Sequence, residues 1–69
     1  MSFDKQKAEA SKKNLQNADL KNADLQEADL SEGILIEACL ENCNLSEADL
    51  CGTDITGANL KNARLHHTV

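Results

Sequence analysis

Three cysteines, two adjacent histidines and a set of carboxylates are the side chains of this 69-residue chain that have the right types for chemistry. Cys39, Cys43 and Cys51 follow a C-x3-C-x7-C spacing with no CxxC pair. Zinc sites usually pair thiolates at closer spacing, and a disulfide needs strict geometry. His66 and His67 adjoin. On an extended segment neighbours point in different directions, so they make a poor chelate. They read as surface histidines, with a pH-sensitive or metal-bridged chain end as the sharper alternative. No nucleophile–base pair, glycine-rich phosphate loop or paired catalytic carboxylates stand out. No enzyme activity, no cofactor and no metal site are expected.

The elements that must position these groups follow one rule. Every fifth residue from Leu15 to Leu65 is Leu or Ile, in the series Leu15, Leu20, Leu25, Leu30, Leu35, Leu40, Leu45, Leu50, Ile55, Leu60 and Leu65. Two residues before most of them sits a small residue, as at Ala18, Ala23, Ala28, Gly33, Ala38, Cys43, Ala48, Thr53, Ala58 and Ala63. A step of five turns about 140° around an α-helix, so the leucines would form no stripe. In a strand, an odd step would alternate faces. Every fifth residue can point inward only if the chain turns a corner once per pentad. Self-similarity at a short fixed period is the mark of a solenoid.

The stretches Ala18-Asp19-Leu20-Lys21-Asn22, Ala23-Asp24-Leu25-Gln26-Glu27, Ala28-Asp29-Leu30-Ser31-Glu32, Ala48-Asp49-Leu50 and Ala58-Asn59-Leu60 resemble pentapeptide repeats, with consensus A(D/N)LXX. The resemblance covers about residues 13–67. It implies an all-β solenoid, a right-handed quadrilateral β-helix with four pentads per coil, here about 2.75 coils. Residues 1–12 break the pattern and form the first segment, a cap, ahead of the repeat at 13–69. Ser2 can cap a helix from Phe3 to about Lys12, with Phe3 and Ala10 covering the open coil. The competing reading takes Ala8-Glu9-Ala10-Ser11-Lys12 as a degenerate pentad.

A step of 20 stacks Leu15, Leu35 and Ile55 on side one, Leu20, Leu40 and Leu60 on side two, Leu25, Leu45 and Leu65 on side three, and Leu30 and Leu50 on side four. It also stacks Asn22, Asn42 and Asn62, whose amides can bond along the axis. Lys21, Glu41 and Lys61 alternate in sign in another column, which favours pairing. Glu27 falls on Glu47 and Asp29 on Asp49. With Asp24 and Glu32 they make an acidic edge between sides three and four. That edge reads as a solvated wall, as a docking surface for a basic protein partner, or least of all as a cation site. Ile34 and Ile36 face outward on side one as a small apolar patch. β-propensity accounts for them, and a lateral contact with a second chain or with a cap residue is the alternative. Cys43 takes a small inward position, while Cys39 and Cys51 point outward from different sides.

Leu50, Ile55, Leu60 and Leu65 form the terminal ring. Solenoids normally cover their ends, because an open coil exposes strand edges. The ring is therefore expected to be a homodimer interface about a two-fold axis, as the resemblance to larger family members also implies. A fragment, or half of a split solenoid completed by another protein, is the alternative.

The net charge of −5 and a single aromatic residue argue against direct nucleic-acid binding. No stretch approaches the ~20 apolar residues of a membrane span. The first residues lack an apolar leader core, and the cysteines show no framework, so a cytoplasmic location is expected. The expected function is a non-catalytic structural or protein-interaction module with an unknown partner. The alternative is an acidic nucleic-acid mimic acting on a DNA-handling enzyme such as gyrase, which family resemblance brings in. Two such short stacks would reach roughly 26 Å, less than one duplex turn of ~34 Å.

Overall fold

The computed structural model describes residues 4–69. A short helix, α1 (Lys5–Ala10), is followed by one 3-10 turn over Lys12–Asn14 and then by the coil. Asp4 is the N-cap: its Oδ1 accepts the Lys7 N–H at 2.8 Å, the usual task of an Asp there. The Ser11 N–H closes the other end on the carbonyls of Lys7 and Ala8 at 3.1 and 3.2 Å.

The helix is thus shorter at both ends than the expected Phe3 to Lys12 span. Ser2 and Phe3, expected as cap and cover, lie outside the described residues. Ala8 rather than Ala10 packs on the coil, at 0% exposure, while Ala10 is exposed. Two helical residues are separated by about 200° of rotation, so only one of them can face the core. The 3-10 turn straddles the expected boundary between cap and repeat.

From Leu15 onward each pentad makes one corner. The N–H of the small residue donates to the carbonyl of the leucine three residues earlier, from Ala18 to Leu15 through Thr68 to Leu65, at 2.9–3.1 Å. The residue just before the small one takes a positive φ: Asn17, Asn22, Glu27, Glu32, Glu37, Asn42, Glu47, Gly52, Gly57, Asn62 and His67. A positive φ confined to the third position of a bonded four-residue turn is the type II geometry. Asn and Gly suit it, whereas the glutamates adopt it at a cost.

Where an Asp or Asn from Asp19 to Asn59 precedes the inward Leu or Ile, it has a local task that the sequence reading did not identify. Asp19, Asp24, Asp29, Asn44, Asp49, Asp54 and Asn59 each accept, through Oδ1, the N–H two residues on, at 2.9–3.2 Å. These Asx turns satisfy a corner N–H that points away from the neighbouring coil. The signal was present in the repeated Asp/Asn itself.

Successive coils pair in parallel with a step of 20, through Asp19↔Cys39, Asp24↔Asn44, Asp29↔Asp49, Ile34↔Asp54, Cys39↔Asn59 and Asn44↔Arg64. Four pentads therefore complete a turn, in the phase the columns indicated. The pairings are isolated bridges, so each side of the coil is too short for an extended strand. From Leu15 to Leu50 each leucine N–H donates to a carbonyl one coil later, as from Leu20 to Cys39 and from Leu40 to Asn59 at 2.8 Å. The residue before the leucine donates the other way, as from Cys39 to Ala18 at 2.8 Å.

Leu15, Leu20, Leu25, Leu30, Leu35, Leu40 and Leu45 fill the axis at 0–1% exposure, interleaved with Ala23, Ala28, Ala38, Cys43 and Ala48. Burying each leucine contributes roughly 1.5–3 kcal/mol. Two expected side-chain ladders are absent among the described residues. Asn22, Asn42 and Asn62 make no side-chain bond to one another, and no ion pair joins Lys21, Glu41 and Lys61. The backbone conformation decides the first case: all three asparagines sit at φ of 61–67°, where they make the corner.

Candidate interaction surfaces

The last coil differs from the ones beneath it. Its core residues are uncovered: Ile55 is 39% and Leu65 48% exposed, with Val69 beside them at 69%. Leu50 and Leu60 are half-buried, so the ring is more accessible on sides one and three. Its backbone is open as well. Among the described residues, the N–H groups of Ile55, Gly57, Leu60, Asn62 and Leu65 donate to no other backbone group, and the carbonyls of Thr53, Ala58 and Ala63 accept from none. Leu50 is the exception, bonded to the Val69 carbonyl at 2.9 Å. The surface is an apolar patch rimmed by unpaired donors and acceptors, the chemistry of a sheet edge.

The acidic edge is less free than its composition suggests. Asp24, Asp29 and Asp49 are engaged in their own Asx turns. Asp29 also accepts the Ser31 hydroxyl at 2.6 Å and faces the Lys12 ammonium at 3.5 Å. The Ser31 hydroxyl and N–H, aided by Lys12, hold its carboxyl below the ordinary value of 3.8. Glu32 lies along the next coil, with its Cγ 3.2 Å from where a Gly52 Cβ would stand, and its carbonyl accepts the Lys13 ammonium at 2.6 Å. Glu27 and Glu47 remain exposed in one column, topped by His67, whose Nδ1 lies 4.0 Å from Glu47 Oε2.

Ile34 and Ile36 are half-buried rather than open. The bridge from Ile34 to Asp54 places the next coil beside them, so the patch expected on side one is reduced. His66 and His67 also differ from expectation. Their rings stack, with centroids 4.0 Å apart and planes 24° from parallel, because the corner at His67 turns one ring back over the other. Both rings are exposed.

Cys43 is buried and donates its thiol to the Leu20 carbonyl at 2.7 Å. Burial pushes that thiol above its ordinary 9.0. Cys39 is half-buried and Cys51 exposed, and the neighbouring Asp49 carboxylate raises the Cys51 thiol. Among the described residues, no three His, Cys, Asp or Glu side chains gather as a metal-binding group, and no pocket forms. No helix among them is long and apolar enough to cross a membrane.

Comparison with known proteins follows the same geometry. The family model described as Pentapeptide repeats matches the chain in 8 copies, over residues 6–35, 14–46 and 34–69. The crystal structure of Rfr23, a pentapeptide repeat protein from the cyanobacterium Cyanothece 51142, is 39% identical with a TM-score of 0.77, covering 78% of this chain and 37% of its own. HetL from Nostoc sp. strain PCC 7120, a pentapeptide repeat protein involved in heterocyst differentiation regulation, is 47% identical with a TM-score of 0.48, covering 74% of this chain and 19% of its own. The chain thus spans well under half the length of either protein. No protein with a curated description matches.

Proposed function

This chain belongs to the pentapeptide-repeat family, and we propose that it is a non-catalytic interaction module whose last coil associates with a second copy. The coil is read as the right-handed quadrilateral β-helix of that family. The observation that carries the proposal is the last coil itself, where exposed Ile55 and Leu65 coincide with unpaired N–H groups at Ile55, Leu60 and Leu65. An apolar centre with an unsatisfied polar rim gains from a partner that supplies both burial and hydrogen bonds. A two-fold axis lets one surface serve both copies.

The polar side chains support a non-catalytic role. The carboxylates nearest the leucines bind their own backbone, and Glu27, Glu47 and Glu32 stand on a convex wall, whereas substrate sites are concave. Side chains of this kind suit solvation of a small scaffold, whose location is read as cytoplasmic. The nucleic-acid mimic is the second reading: one copy, with Cα extents of 23 × 23 × 22 Å, is shorter than one duplex turn of ~34 Å, and only a pair of copies would reach it.

Amide hydrogen exchange at two protein concentrations tests the proposal. Self-association predicts that the N–H groups of Ile55, Leu60 and Leu65 become protected only at the higher concentration. Exchange in the last coil that ignores concentration would contradict it.

A further inference from the structure

Side one of the middle coil departs from the rest of the wall. Its pentad, Gly33-Ile34-Leu35-Ile36-Glu37, sets an isoleucine on either side of the inward Leu35. Elsewhere the two outward positions beside an inward residue carry polar groups or cysteine, as with Asp24 and Gln26, or Asn44 and Ser46. Ile34 and Ile36 project to the same face, about 6.6 Å apart. Both are half-buried, so part of each side chain still meets water. β-propensity alone does not demand aliphatic groups here, since threonine shares it. Thr56 takes the place of Ile36 one coil later.

The corners that bound this side are matched. Glu32 and Glu37 hold them, at φ of 59° and 57°. Over each, one coil later, stands a glycine corner: Gly52 over Glu32 and Gly57 over Glu37. A Cβ at Gly52 would lie 3.2 Å from Glu32 Cγ, and one at Gly57 would lie 3.0 Å from Glu37 Cγ and 3.8 Å from its Oε2. The two glutamate stems therefore run up the axis into space that a side chain would otherwise fill. Each is laid against backbone at one edge of the isoleucine pair.

Neither carboxylate has a partner. Among the described residues, the ion pairs are Lys12 with Asp29 and His67 with Glu47. Lys13 bonds the Glu32 carbonyl at 2.6 Å and leaves the carboxylate open. Asp54, above Ile34, is different: it accepts the Thr56 hydroxyl and N–H at 2.6 and 3.1 Å. The side is thus an apolar strip between two placed negative charges.

Its complement is an apolar group between two positive ones. In an extended chain, residues i, i+2 and i+4 share a face over about 13 Å, so a cation–apolar–cation alternation presents all three together. Guanidinium suits the ends, because it meets a carboxylate with two N–H groups. A second copy of this chain is a poorer match. Its outward cations on side two, Lys21 and Lys61, have Glu41 between them, where the partner must be apolar.

We propose that side one is the docking surface for an extended segment of another protein, one that carries an apolar side chain between two cationic ones. The segment lies across Ile34 and Ile36 with its cations on Glu32 and Glu37. This surface is separate from the last coil and does not depend on the pairing proposed for it.

NMR titration of the isotope-labelled full chain with the peptide Gly-Arg-Thr-Ile-Thr-Arg-Gly tests the proposal. Amide and methyl signals of Glu32, Ile34, Ile36 and Glu37 should shift and saturate. Glu32→Gln combined with Glu37→Gln should weaken binding about five- to tenfold, the effect of losing two exposed ion pairs. Ile34→Thr combined with Ile36→Thr, which keeps the β-branching, should weaken it too. No shift in the parent would overturn the proposal. So would shifts as large at Glu27 and Glu47, which report bulk charge, or binding that ignores both double variants. If the Glu32 and Glu37 variant instead lowers the parent's mass in sedimentation velocity, the occupant is a second copy and the proposal fails. Leu65→Glu should leave the peptide's affinity unchanged, which keeps this result distinct from the outcome for the last coil.

Discussion

The thiol of Cys43 donates to the carbonyl of Leu20 at 2.7 Å, across the interior and 23 residues back. The hydroxyls of Thr53 and Thr68 repeat the step, to the carbonyls of Leu30 and Leu45 at 2.6 Å. The leucine carbonyl already accepts the corner N–H, and the inward side chain uses its second lone pair. Cys43 is therefore more than a small filler in the alanine position. Cys43→Ala is expected to cost about 0.5–1.5 kcal/mol, and Cys43→Ser, which keeps a donor, to cost less. Urea denaturation of the two variants checks the order.

The same burial governs thiol reactivity. A buried thiol held neutral is a poor nucleophile. In the native protein a disulfide-exchange reagent should modify Cys51 first and Cys39 next, leaving Cys43 until the chain unfolds. Cys51 should react more slowly than a free thiol of equal exposure, since Asp49 raises it. Mass spectrometry of partly modified protein reads the sequence of events. Early modification of Cys43 would place it outside the core.

Acid stability should track two hydroxyls. Asp29 and Asp54 are held below the ordinary 3.8, first by the side chains of Ser31 and Thr56 and next by their N–H groups. A carboxyl depressed in the folded state stabilises above its unfolded value and loses that contribution as pH falls through the folded one. Ser31→Ala and Thr56→Val should therefore be less stable than the parent at neutral pH. The gap should close as the pH drops below about 4. Chemical denaturation at neutral and acidic pH measures it, and a gap that widens in acid would contradict the assignment.

The corners give opposite predictions at glutamate and glycine. Glu27 sits at φ 65° in a column with Glu47, so it bears both left-handed strain and like-charge repulsion. Glu27→Asn should raise stability by a few tenths to about 1 kcal/mol, seen as a higher Tm. Gly57 sits at φ 71°, and its added Cβ would stand 3.0 Å from Glu37 Cγ. Gly57→Ala should cost about 1–2 kcal/mol.

The coil was legible in the sequence because it depends on a period. Leu15 to Leu65 fix the corner rhythm, and the charged and amide columns point to a step of 20. The cap was less legible because its logic is tertiary. Nothing periodic marks Glu9, whose Oε2 accepts the Asp29 N–H at 2.8 Å, as a substitute for a carbonyl. Gly33 reads as one more small residue until the Lys12 carbonyl oxygen, 2.9 Å from where a Cβ would stand, is placed against it. The observed N-cap is Asp4, through a single local bond, while the Ser2 offered by the sequence lies outside the described residues. The acidic edge illustrates a third limit: composition counted Asp24, Asp29 and Asp49 as free charge, while the Asx geometry ties each to its own turn. The histidines lie at the surface, as expected, but the corner at His67 stacks rings that an extended segment would separate.

The central claim is that the last coil is an interface between copies, and the most direct test is the solution mass. Light scattering after size exclusion, over a concentration series in reducing buffer, should show a dimer for the parent chain. Leu65→Glu should convert it to a monomer with an unchanged circular dichroism spectrum, because Leu65 is 48% exposed and its loss spares the buried axis. A parent that stays monomeric at every concentration would contradict the claim.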